Sequence, residues 1–151
     1  FGGKVEQVAS PRELYETPSS QQVASFIGAM NFVAGTIVES GDHLKVNSKI
    51  LGTIKIPNSR VFGDQLKNEV ILGVRPERIA LVPSSSGTRK ETIGKIIDTS
   101  YFGDTTYYKL EFVSNSDTLI VSAQNSFDQL DYKIGDMVKV ATDMNSVVAF
   151  R

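Results

Sequence analysis

A chain of 151 residues suits one domain or two small ones, and it can bury a sizeable core without covalent or metal staples. Sixteen basic residues against seventeen acidic ones leave a formal charge of -1, which removes the overall basic excess of a general polyanion binder. There is no cysteine, which excludes disulfides and thiolate metal sites and fits a reducing compartment.

Apolar runs are only a handful of residues long, against the ~20 needed to cross a bilayer, and no signal-peptide pattern opens the chain. Direct membrane insertion is therefore not expected, and any membrane association would go through a partner.

The chain opens with an apolar–polar alternation over Lys4 to Val8 that predicts a short strand. Ser10, Pro11 and Glu13 then supply an N-cap, a proline at the first helical position and a capping-box acceptor. That helix must be short, because Pro18 turns Thr17 away from helical geometry. Ser19 with Gln22 starts a second short helix, whose apolar face is Val23, Phe26 and Ile27 and whose stop is Gly28.

From Met30 the pattern changes to short β-branched segments: Thr36–Val38, Leu44–Val46, Gly52–Ile56 and Val70–Val74. Ser40-Gly41-Asp42 and Pro57-Asn58-Ser59 punctuate them as turns. Many short strands at close spacing predict a small barrel or sandwich. Pro83 to Lys90 is polar and reads as a surface connector.

Strand character resumes after it. Tyr108, Leu110 and Phe112 alternate with Lys109 and Glu111, giving one buried and one wet face. Thr118–Ala123 is expected to pair alongside, through a loop at Ser114–Asp117. Met137–Val140 and Val147–Phe150 are the last two strands.

The two β-rich stretches echo each other. Gly35-Thr36-Ile37-Val38 matches Gly94-Lys95-Ile96-Ile97, 59 positions later. Val70–Val74 resembles Met137–Ala141, and Ile79–Leu81 aligns loosely with Val147–Ala149. Order and spacing suggest a duplication.

Four constellations invite chemistry. In Arg75-Pro76-Glu77-Arg78 a proline after a strand sets the chain direction and aims guanidinium groups; the pairs could hold the turn or meet an oxyanion. Tyr101, Phe102, Tyr107 and Tyr108 form an aromatic cluster suited to stacking bases, to core packing or to a subunit contact. Its flanks carry Asp98, Asp104 and Glu111 against Lys95 and Lys109, too little positive field for a nucleic-acid groove. His43 is the single histidine, and the scattered acids Asp128, Asp131, Asp136 and Asp143 lack calcium-loop spacing, so no metal site is expected.

Gly3-Lys4-Val5, Gln7, Pro11, Glu13, Tyr15 and Pro18 resemble the junction where the ATPase domain of an ABC importer's ATP-binding subunit passes into its C-terminal domain. Phe26-Ile27-Gly28 with Met30-Asn31-Phe32, Leu72-Gly73-Val74-Arg75-Pro76-Glu77-Arg78-Ile79, and Tyr101-Phe102-Gly103-Asp104 with Tyr107-Tyr108 continue the resemblance in the family's order. The chain is similar to the TOBE-type, OB-like C-terminal domain of the polyamine, iron(III) and sugar importers.

The resemblance implies a mostly β protein: tandem OB-like halves, about 29–83 and 91–151, preceded by a short strand and two short helices. Residues 1–28 would be the tail of the ATPase domain and its linker. It implies a regulatory, dimerising module at the cytoplasmic face of the membrane, joined to an ATPase domain in cis and through it to permease subunits, with polyamines as the favoured transported solute. An oxyanion- or oligonucleotide-binding module independent of transport is the alternative. ATP and magnesium belong, on this reading, to the ATPase domain. No phosphate-binding loop, ABC signature, paired Asp-Glu after an apolar strand or switch histidine is present, so this chain is expected to hydrolyse no ATP and to hold no cofactor.

Overall fold

Residues 31–39 alternate buried and exposed along most of their length, as a strand covered on one face must. They form β1 (Asn31–Glu39) of an all-β arrangement seen in a computed structural model that describes residues 30–63, 67–83, 93–112, 117–125, 132–142 and 144–151. The expected opening strand and two linker helices, the Ser114–Ser116 part of the expected loop, Asp128, Asp131 and Asp143 lie outside the described residues. Chain contacts divide the protein into two units.

The first unit carries a sheet in the order β3-β2-β1-β5-β11-β4, with β2 at His43–Ser48, β3 at Gly52–Pro57, β4 at Val61–Phe62, β5 at Glu69–Val74 and β11 at Val148–Phe150. Its core face is built by Val33, Val46, Ile54, Ile56, Leu72 and Val74, all but fully buried. Each such side chain contributes roughly 1.5–3 kcal/mol. Gly35 lets β1 and β2 close up here: a Cβ on it would lie 2.5 Å from Val46 Cγ1. Val148 and Phe150 form a second, smaller cluster with Met30, Phe62 and Ile71.

The second unit carries a sheet in the order β6-β10-β7-β8-β9, with β6 at Ile79–Pro83, β7 at Ile93–Tyr101, β8 at Thr105–Phe112, β9 at Thr118–Gln124 and β10 at Met137–Thr142. The expected alternation holds, with Tyr108, Leu110 and Phe112 buried and Lys109 and Glu111 exposed. Strand β9 packs against β6 and against the 3₁₀ turn Pro76–Arg78, so this sheet curls toward closure as a half-barrel.

The suggested duplication reappears in the pairing. Both sheets share one plan, β3-β2-β1-β5 in the first and β9-β8-β7-β10 in the second. A bulge interrupts β1 between Ile37 and Glu39 and β7 between Ile96 and Asp98, again 59 positions apart. Beyond the shared four strands the halves trade ends. β6 follows β5 in sequence but pairs with β10, and β11 follows β10 but pairs with β5. Each sheet therefore takes strands from both sides of residues 84–92, which include most of the polar connector and lie outside the described residues. Hydrophobic alternation specifies a strand's buried face and not its neighbour.

Candidate functional site

Arg75 follows β5 and is only 3% exposed, whereas Glu77 and Arg78 stand exposed on the next turn. Burial pushes the Arg75 guanidinium below its ordinary value, yet it stays a cation at any physiological pH. It is not an isolated charge, since it engages other groups of the fold. Pro76 is buried, and the Arg78 carbonyl accepts a hydrogen bond from Thr142 Oγ1 at 3.2 Å. The structure thus separates the three charged side chains, one inward and two outward. The turn they occupy lies against β9, which gives it a role in shaping the half-barrel.

The aromatic cluster also splits. Tyr108 points inward, 5% exposed, with its ring edge-on to Tyr132 at 6.1 Å. Tyr132 in turn donates its hydroxyl to the Leu81 carbonyl at 3.4 Å. Tyr101 (73% exposed), Phe102 (65%) and Tyr107 (38%) face solvent instead. Phe102 and Tyr107 meet edge-to-face at 5.5 Å.

These exposed rings sit on a braced hairpin tip. The Phe102 N–H donates to the Thr105 carbonyl at 2.8 Å, and the Asp104 N–H to the Phe102 carbonyl at 3.0 Å. Gly103 holds a left-handed φ of 79°, which a side chain would resist. From the end of β9, Asn125 grips the tip three times. Its backbone N–H donates to the Asp104 carbonyl (2.8 Å), its Nδ2 donates to the Gly103 carbonyl (2.9 Å), and its Oδ1 accepts from Thr106 Oγ1 (2.8 Å). Sequence reasoning did not single out Asn125. A lone asparagine after an apolar strand carries no local signal of a partner 22 residues away.

His43 begins β2, half-buried. Asp136 accepts the Lys133 backbone N–H at 2.8 Å, so it serves a turn. Among the described residues no group of three or more His, Asp or Glu side chains gathers to hold a metal ion. No helix among them is long and apolar enough to cross a membrane.

The TOBE domain model matches residues 72–150, and the MalK OB fold domain model matches residues 29–79. The chain belongs to the TOBE family. Relatives of this TOBE chain are ATP-binding subunits of importers. It is 33% identical over 132 residues to the spermidine/putrescine import ATP-binding protein PotA of Trichormus variabilis, covering 85% of this chain and 34% of that protein. To the PotA of Pseudomonas aeruginosa it is 30% identical over 144 residues, covering 92% and 39%. To the sn-glycerol-3-phosphate import ATP-binding protein UgpC of Escherichia coli K12 it is 39% identical over 88 residues, covering 57% and 24%.

This TOBE chain therefore spans about a third of the length of the curated relatives it matches, and corresponds to the C-terminal OB-fold and TOBE domains of such subunits. Among solved structures, the cytoplasmic molybdate-binding protein ModG with molybdate bound superposes with a TM-score of 0.57 at 18% identity, over 79% of this chain and 94% of ModG. That likeness is one of fold.

Proposed function

We propose that this TOBE chain is a non-catalytic regulatory and self-associating module of an importer's ATP-binding subunit. The observation that carries the regulatory-domain reading is the coverage of residues 29–150 by the two domain models. Two copies that stay in contact hold their attached ATPase domains at high effective concentration, which favours re-association after each opening. An effector could bias that cycle only through unequal affinity for the open and closed states.

Several features support a binding role for this module without chemistry of its own. Arg75 is taken up inside the fold, and the exposed aromatic tip is rigidly braced. ATP and magnesium fall to the ATPase domain of the subunit, which meets the permease at the inner face of the membrane. Polyamines are the favoured solute, because similarity to PotA runs over more of this chain than similarity to UgpC. Iron(III) and sugars are the competing solutes.

Sedimentation equilibrium of the purified chain, run beside an ATPase assay, tests the reading. Concentration-dependent dimers with no nucleotide turnover are expected. Nucleotide turnover, or a monomer at every concentration up to millimolar, would overturn it.

A further inference from the structure

The outer face of the β7–β8 pair carries four charges in direct cross-strand register. Lys95 lies opposite Glu111, and Asp98 lies opposite Lys109. All four are exposed, and their neighbours Ile96, Tyr108 and Leu110 are buried, so the four share the solvent face. Because Lys95 and Asp98 are on β7 while Glu111 and Lys109 are on β8, the signs alternate both along and across the strands. One step nearer the tip, small Ser100 lies opposite bulky Tyr107.

We propose that this face docks on a second copy of the same chain, about a two-fold axis that runs parallel to β7 and β8 and between them. This inference rests on the self-association proposed above and assigns it a surface. Rotation about that axis brings β7 of one copy over β8 of the other. Lys95 then meets Glu111 of the second copy, Asp98 meets Lys109, and Tyr107 fills the space beside Ser100. Every charge finds an opposite, and each large side chain finds a small one, as a self-complementary two-fold interface requires.

With strands about 4.8 Å apart and about 3.3 Å per residue, the two-strand face of seven residues measures roughly 10 by 25 Å. That is below the ~800 Å² per partner of a standard stable complex, so the contact belongs to the weak, transient class. A weak contact suits a module whose partner is held nearby by the rest of the assembly.

The test is charge reversal followed by mixing. Lys95→Glu alone, or Glu111→Lys alone, should weaken self-association at least ~10-fold, because like charges then face each other across the axis. An equimolar mixture of K95E and E111K chains should form a heterodimer with affinity near that of the unaltered chain. Asp98→Lys mixed with Lys109→Asp is the parallel experiment if one variant of the first pair folds poorly. An intrachain role for these charges predicts no rescue on mixing. If the unaltered chain dimerises and neither mixture is rescued, this surface is wrong while the regulatory reading stands. If the unaltered chain does not self-associate at all, both fall.

Discussion

Ile37 and Ile96 hold the same place in two successive repeats. The Ile37 N–H donates to the carbonyl of Asn68, just before β5, and the Ile96 N–H donates to the carbonyl of Asp136, just before β10. Each bond carries the pairing one position past the last ladder pair, Thr36 with Glu69 and Lys95 with Met137, beside the bulge on the strand's other edge. Two matched bulges with matched loop contacts are hard to obtain by chance. They make the duplication physical, where residue identity between the halves could only suggest it.

The repeats differ in how tightly they close at the shared glycine. At Gly35 an added methyl would meet stiff, fully buried Val46, while at Gly94 the nearest atoms stand 3.4 Å away in ordinary contact. Gly35→Ala should destabilise the protein by about 1–3 kcal/mol, and Gly94→Ala by less than about 1 kcal/mol. Chemical denaturation of the two variants checks the contrast.

Asn125 should control the hairpin tip. Asn125→Ala removes the donor to Gly103 and the acceptor for Thr106, with an expected loss of about 1–2 kcal/mol. Asn125→Asp keeps the acceptor and loses only the donor, so it should fall between. Hydrogen exchange at the Phe102 and Asp104 amides should quicken in the same order.

The buried and exposed charges of the 75–78 turn should separate cleanly. Arg75→Ala removes a buried cation from the groups that surround it and should cost about 3–5 kcal/mol. Glu77→Ala and Arg78→Ala alter exposed side chains and should stay within about 0.5 kcal/mol. Equal costs at all three positions, measured by thermal or denaturant unfolding, would contradict this arrangement.

Phe150 anchors the returning strand. It is 7% exposed, and its ring packs on Phe62 at 6.1 Å and Phe32 at 6.3 Å. Phe150→Ala should cost about 3–5 kcal/mol, with exchange protection lost first at Leu72 and Ile71, opposite β11. Uniform loss of protection across both sheets would instead mean that β11 is needed for the entire fold.

By itself the amino-acid sequence determined which residues alternate, which turns carry glycine or proline, and that two stretches repeat. These follow from the period of the strand and from local backbone sterics, which need no knowledge of distant residues. It also brought out the motifs of the family, because those are local strings. Tertiary structure alone decided that β6 and β11 change sheets, that Arg75 goes inside while Tyr101 and Phe102 stay out, and that Asn125 braces a tip 22 residues away. Each is a matter of which neighbour a strand or side chain finds, and a chain read residue by residue contains the face that must be covered but not the partner that covers it.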